Sequence, residues 1–180
     1  MTENKTSPDW PRLVPLAILA ASAGALGIAY TAQYAFAIEP CRLCLYQRAP
    51  YVVNGLLAIL ALGLPAVGRA RSWAVALCAA LFLAGAAIAF HHVGVEQHWW
   101  ASAASCGDGL GEVAEMTLAE MKARLLAPAE KPCDEVDWTL FGLSMATYNV
   151  AVSLALAAGA GAGALKLARM PSPSGQDRTL

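Results

Sequence analysis

Four long apolar runs set the terms on which this chain can fold, because a helix needs roughly 20 consecutive apolar residues to cross the hydrocarbon core of a bilayer. Leu13 to Ile38 is interrupted only by weakly polar residues such as Ser22, Thr31 and Gln33. Trp73 to Phe90 and Leu140 to Leu165 are equally clear, and both carry Gly and Ala where helices in lipid pack closely. Ala49 to Leu64 is shorter and needs the turns around Cys44 to Arg48 and Pro65 to Gly68 to complete it. Composition agrees: the chain is 58% hydrophobic and 14% charged, where a soluble domain is about 45 to 50% and about 25%. The expected fold is an all-α membrane protein, a four-helix transmembrane bundle forming one integral membrane domain over residues 1–180. The spans fall near 13–38, 46–67, 73–92 and 140–165, with an outer loop at 96–138 and a tail at 166–180.

An even number of spans puts both termini on one side, and charge decides which. Lys5, Arg12, Arg69, Arg71, Lys166, Arg169 and Arg178 stand there against Glu3, Asp9 and Asp177, whereas the segment from Glu96 to Asp137 sets three basic residues against nine acids. By the positive-inside rule the termini are cytoplasmic. The first run is longer than the roughly 7 to 15 residues of a signal-peptide core, so Ala35-Phe36-Ala37 is read as part of a retained span rather than a cleavage site. Ile38-Glu39-Pro40 is likewise a poor lipobox before Cys41. No basic patch suggests nucleic acid.

In the outer segment, Met116, Leu118, Met121, Leu125 and Leu126 recur at helical spacing among charged residues, which predicts a short amphipathic helix. It either lies on the membrane surface or packs over the loop's own apolar residues. Gly107, Gly109 and Gly111 before it and Pro128 and Pro132 after it mark turning connections.

Four of the five cysteines fall outside the cytoplasm on this topology: Cys41 and Cys44 in the short first loop, Cys106 and Cys133 in the long one. Thiols in an oxidising compartment tend to pair, and C-x-x-C spacing supports reversible dithiol and disulfide exchange. A c-type haem would need His where Leu45 stands. A four-cysteine zinc site and a purely structural disulfide pair remain as alternatives. Cys44 sits at the membrane boundary with Arg48 four residues on, and a cation and a helix N-terminus both stabilise a thiolate; Arg48 is otherwise an anchor snorkelling to headgroups. A thiolate at the lipid interface suits an electron acceptor that lives in lipid, such as an isoprenoid quinone. His91 and His92 end the third span on the same side, either as quinone contacts or as interfacial polar caps. Cys78, inside the third run, reads as an inert small hydrophobe.

Cys41-Arg42-Leu43-Cys44-Leu45-Tyr46-Gln47-Arg48, at the start of the second of four spans, is followed by a long loop with two further cysteines. With Val93-Gly94-Val95-Glu96 through Trp99-Trp100 to Cys106, and Cys133-Asp134-Glu135-Val136 leading into Phe141-Gly142-Leu143-Ser144, this resembles the DsbB family over most of the chain. The resemblance implies a quinone-dependent thiol oxidase of the bacterial inner membrane, a four-helix bundle with a long periplasmic loop. It would reoxidise a periplasmic DsbA-like thioredoxin-fold partner and pass the electrons to ubiquinone or menaquinone, with no metal or flavin. On this resemblance Cys106 and Cys133 are the pair that meets DsbA, with Cys106 forming the mixed disulfide. Cys41 and Cys44 are the quinone-facing pair, Cys44 the thiolate beside the quinone and Arg48 the quinone-site arginine. The family's third-span histidine falls at His92, with His91 as the alternative register. Vitamin K epoxide reductase-type proteins also place a C-x-x-C beside a quinone, but their loop cysteines precede it. A four-span scaffold with structural disulfides and a transporter are the remaining classes, the latter weakened by the lack of ionisable residues deep in the spans.

Overall fold

The computed structural model describes residues 9–65, 69–100, 117–119, 122, 131–136 and 138–170. Its long helices, among the described residues, are α1 (Trp10–Ala35), α2 (Arg42–Gly63), α3 (Arg69–Glu96) and α4 (Met145–Ala168). A two-stranded antiparallel ladder, β1 (Thr139–Leu140) and β2 (Leu143–Ser144), precedes α4. All four helices are long and apolar enough to cross a membrane, so the chain is an all-α multi-pass membrane protein. In the long loop Leu118, Ala119 and Lys122 are helical. Met116, Met121, Leu125 and Leu126, the rest of the expected amphipathic face, lie outside the described residues, as does the tail from 171.

The helix ends differ from the hydropathy boundaries for local reasons. α1 stops at Ala35 because Ala37 turns left-handed at φ 53 and the Ile38 N–H returns to the Ala32 carbonyl at 3.1 Å, a left-handed helix ending with Ala where Gly is usual. α2 starts early, at Arg42, because Cys41 serves as its N-cap; Pro50 therefore stands in the helix interior. α4 starts late because Phe141 (φ 51) and Gly142 (φ 79) form a tight turn between β1 and β2, the left-handed pair that two-residue hairpins favour.

One buried arginine ties the first three helices together. Pro15 has no N–H for the Pro11 carbonyl one turn earlier, and Arg71 Nη1 donates to that carbonyl at 3.0 Å. Its Nη2 donates to the Leu62 carbonyl at 3.2 Å and also to that of Leu64, at the end of α2. A charge at the membrane face thus serves backbone acceptors that lipid leaves unsatisfied.

Small residues bring the helices into contact, as expected where apolar burial gives no preference for a neighbouring helix over lipid. α3 lays Val75, Cys78, Phe82, Gly85, Ala86 and Ala89 along one buried face, and α4 answers with Ala157, Ala160 and Ala164. Cys78 is in this core at 1% exposure. A Cβ on Gly85 would sit 3.4 Å from the Pro50 ring, and one on Gly163 would sit 2.7 Å from Val14 Cγ1. Many large apolar side chains point outward instead, among them Ile28, Leu56, Leu60 and Leu83, which suits a lipid-facing surface. Lys166 Nζ lies 3.3 Å over the Trp10 ring and closes the end of the bundle that holds Arg71. The opposite end carries the cysteines.

Candidate redox site

The C-x-x-C begins α2. As N-cap, Cys41 adopts extended backbone (φ −71, ψ 171), and its Sγ accepts the Cys44 N–H at 3.3 Å. That leaves the two sulfurs 3.1 Å apart, with the Cys41 thiol donating to Cys44 Sγ. Holding this proton for Cys44, together with burial, pushes the Cys41 thiol up to about 12; the His92 ring and the Cys44 N–H oppose the shift without cancelling it. Cys41 is 5% exposed, whereas Cys44 is half-buried and open to a cavity.

The adjacent histidines go to different places. His92 is buried, with Nε2 3.6 Å from Cys41 Sγ and 3.8 Å from Glu96 Oε1. Glu96 in turn accepts from Ser144 Oγ at 2.5 Å, which links the site to the N-cap of α4. His91 is exposed, its ring stacked on Trp100 at 5.5 Å between centroids and its carbonyl taken by Trp100 Nε1 at 3.0 Å. Arg48 reaches across to α1, donating to Gln33 Oε1 at 2.6 Å and standing 4.9 Å over the Tyr30 ring. Cys133 is 1% exposed in a small cluster with Cys41 and Val95, and Leu43 and Cys44 pack against its edge. Cys106 lies outside the described residues.

A hydrogen-bonded chain behind His92 was not singled out from the sequence. Gln47 Nε2 is 2.6 Å from His92 Nδ1, and Gln47 Oε1 accepts from Asn149 Nδ2 at 2.6 Å. Asn149 Oδ1 accepts from the Tyr51 hydroxyl at 2.5 Å, and Tyr51 meets Ser153 Oγ at 3.0 Å. The available signal is polar side chains at helical spacing inside apolar helices, Gln47 with Tyr51 on α2 and Asn149 with Ser153 on α4, since polar groups within a bilayer are costly unless they have a task.

These groups line the polar end of a cavity of about 680 Å³, within the size range of small-molecule sites. Cys44, Arg48, His92 and Asn149 face it at that end, while Ala25, Ala29, Val152 and Leu156 make its sides apolar. Cys41, Cys44 and His92 also bring three ligand atoms within 4.8 Å of one another, a donor set that a soft metal ion would accept.

A bundle of membrane-spanning helices with an N-capping C-x-x-C beside a buried histidine defines a class, the membrane-embedded dithiol proteins. The particular family follows from comparison: a family described as Disulfide bond formation protein DsbB matches residues 11–163. The chain belongs to the DsbB family of disulfide bond formation proteins. It is 34% identical over 142 residues to Disulfide bond formation protein B of Aromatoleum aromaticum, covering 77% of this chain and 83% of that protein. The protein of the same name from Methylobacillus flagellatus is 32% identical over 126 residues, 69% of this chain and 75% of its own. No solved structure matches.

Proposed function

We propose that this chain is a quinone-dependent dithiol oxidase that reoxidises a periplasmic DsbA-like thioredoxin-fold protein, with the active cysteines on the periplasmic side of a bacterial inner membrane and both termini in the cytoplasm. The observation that carries the reading is the position of the C-x-x-C between two outlets. Cys133 is packed against Cys41 on one side, and Cys44 faces an apolar cavity with Arg48 on the other. A guanidinium is a permanent donor for a quinone oxygen, and small apolar side chains along the cavity suit an isoprenoid tail, so the residues present fit ubiquinone or menaquinone. The bound quinone accepts the two electrons and two protons that a dithiol releases on becoming a disulfide.

The chain's own residues divide the work. Starting from Cys106–Cys133 and Cys41–Cys44 disulfides, a thiolate of the reduced partner attacks Cys106 Sγ and Cys133 leaves. The partner's second thiolate then displaces Cys106, so the partner departs oxidised and the loop pair is reduced. Cys133 attacks Cys41, Cys44 leaves as thiolate, and Cys106 attacks Cys133 to release Cys41. Each exchange breaks one S–S bond for each one formed. Cys44 leaves into the helix N-terminus, where the positive end of the dipole stabilises it, and Arg48 adds a nearby charge.

A partner variant lacking its resolving cysteine tests the order, because it accumulates the first mixed disulfide. Peptide mapping places that link at Cys106 on this reading; a link at Cys133 reverses the loop pair. Impermeant thiol reagents on reduced intact spheroplasts should label the loop pair, and labelling only after lysis would invert the topology.

A further inference from the structure

The chain from His92 through Gln47, Asn149 and Tyr51 to Ser153 joins α3, α2 and α4 inside the bundle, and Gln47, Tyr51, His92 and Ser153 are all buried. Its directions are set by a few atoms. Gln47 presents its NH₂ to His92, so Nδ1 accepts and the ring proton sits on Nε2, toward Cys41 Sγ. Gln47 can do this because Asn149 Nδ2 donates to its carbonyl, and Asn149 can because its own carbonyl takes the Tyr51 hydroxyl.

The same atoms satisfy one another in the opposite sense. Turning both amides by half a rotation exchanges O and N in nearly the same positions. His92 Nδ1–H then donates to Gln47 Oε1, Gln47 to Asn149 Oδ1, Asn149 to Tyr51 Oη, and Tyr51 to Ser153 Oγ. The serine hydroxyl turns to its own helix, toward the carbonyl four residues earlier. Every chain link is retained in both senses, as a buried network must allow. What changes is the face toward the cysteines: Nε2 carries a proton in one sense and a lone pair in the other.

We propose that Gln47, Asn149, Tyr51 and Ser153 form a reversible hydrogen-bond chain that switches His92 between proton donor and proton acceptor toward Cys41. His92 thereby removes the Cys41 proton when the C-x-x-C disulfide re-forms. This rests on the oxidase reading above. Closing the bond requires Cys41 to lose its proton as the two sulfurs join and an electron pair passes to the quinone, yet Cys41 is the buried sulfur whose thiol donates to Cys44 Sγ and holds its proton. The only described ring nitrogen near it is His92 Nε2. Overall, two thiols and one quinone become one disulfide and one quinol. Both electrons go to the quinone, and its two protons balance those lost by Cys41 and Cys44, the Cys41 proton travelling by way of His92. Glu96, 3.8 Å from Nε2, faces the imidazolium formed in transit. His92 is the group in contact with the reacting sulfur; Gln47 and Asn149 are positioning residues.

The test uses the full chain in nanodiscs with ¹⁵N-labelled histidine. The sequence has three histidines, and His91→Asn and His98→Gln assign the signals. Two readouts are taken: the ring ¹⁵N shifts of His92 in the reduced protein, and the rate at which reduced Cys41 and Cys44 are reoxidised by a water-soluble ubiquinone analogue. In wild type, His92 should show both tautomers in exchange. Gln47→Glu, whose carboxylate can only accept, should hold the Nδ1–H form and keep the reoxidation rate within a few fold. Gln47→Leu should abolish tautomer exchange and slow reoxidation by about tenfold to hundredfold, within what a positioned general base supplies, with quinone KM unchanged. Asn149→Asp and Asn149→Leu should repeat the pattern more weakly. A His92 fixed as Nε2–H in wild type and in Gln47→Glu alike overturns the proposal, whether or not Gln47→Leu folds. A wild-type protein that shows the tautomer exchange but passes no electrons to quinone overturns the oxidase reading instead.

Discussion

If the chain is the quinone-dependent oxidase proposed above, replacing Arg48 by Ala should separate the quinone step from the thiol steps, and the structure says how large the separation should be. The guanidinium is held by one 2.6 Å hydrogen bond to Gln33 and by the face of Tyr30 4.9 Å away, so it is fixed between α1 and α2 rather than reaching freely for headgroups. A hydrogen bond from a charged donor contributes about 1.5 to 3 kcal/mol, and each 1.4 kcal/mol is a factor of ten in affinity. If Arg48 donates one such bond to a quinone oxygen, Arg48→Ala should raise quinone KM roughly tenfold to hundredfold. Gln33→Ala frees the guanidinium without removing it, so its effect should be smaller and in the same direction. The assay is steady-state quinone titration paired with a single-turnover measurement of thiol exchange between the partner and Cys106. The second rate should stay near normal in both variants. An unchanged quinone KM with poor membrane insertion would make Arg48 an anchor and displace the quinone site from this cavity.

Other parts of the structure give sharper local tests. Arg71→Met leaves the carbonyls of Pro11, Leu62 and Leu64 without their donor; at about 1 to 3 kcal/mol for each buried unsatisfied acceptor, unfolding in mixed micelles should show a loss of about 3 kcal/mol, and a change below about 0.5 kcal/mol would mean water replaces the side chain. A Cβ on Gly94 would overlap the Trp100 indole, so Gly94→Ala should expel the indole from its seat on His91, shift tryptophan emission to the red and cost about 1 to 3 kcal/mol as overpacking. Because the hydrogen bond to Cys44 and burial push the Cys41 thiol up to about 12, its thiolate appears only as pH rises toward that value, and iodoacetamide on the reduced protein at pH 8 should leave Cys41 largely unmodified while Cys44 reacts; equal labelling of the two would refute the hydrogen-bond assignment.

The spans were legible because a bilayer demands length and low polarity, and hydropathy reports both. Their ends were not, since Ala37 in left-handed backbone and the Phe141-Gly142 turn interrupt sequence that reads as continuously apolar. The doubled histidine shows a second limit. In a soluble protein the polar face of α3 would reveal which of two neighbours points inward, but a helix in lipid is apolar all round, so its phase is set only by packing. The run through Cys78, Phe82, Gly85 and Ala89 carries the buried face on to His92 and leaves His91 outside. The C-x-x-C and Arg48 stood out as a local pattern, whereas Gln47 and Asn149 are 102 positions apart and meet only when α2 and α4 are brought together.

The proposed oxidase passes electrons from a soluble dithiol, through two cysteine pairs, to a quinone in the membrane. It is tested most directly by anaerobic reconstitution of the full chain with reduced DsbA-like protein and either ubiquinone or menaquinone, following quinone absorbance while partner thiols are counted. One quinol should form for each partner disulfide. Turnover should be lost when Cys41, Cys44, Cys106 or Cys133 is changed to Ala and retained in Cys78→Ala. Partner oxidation without quinol, or full turnover in Cys133→Ala, would contradict it.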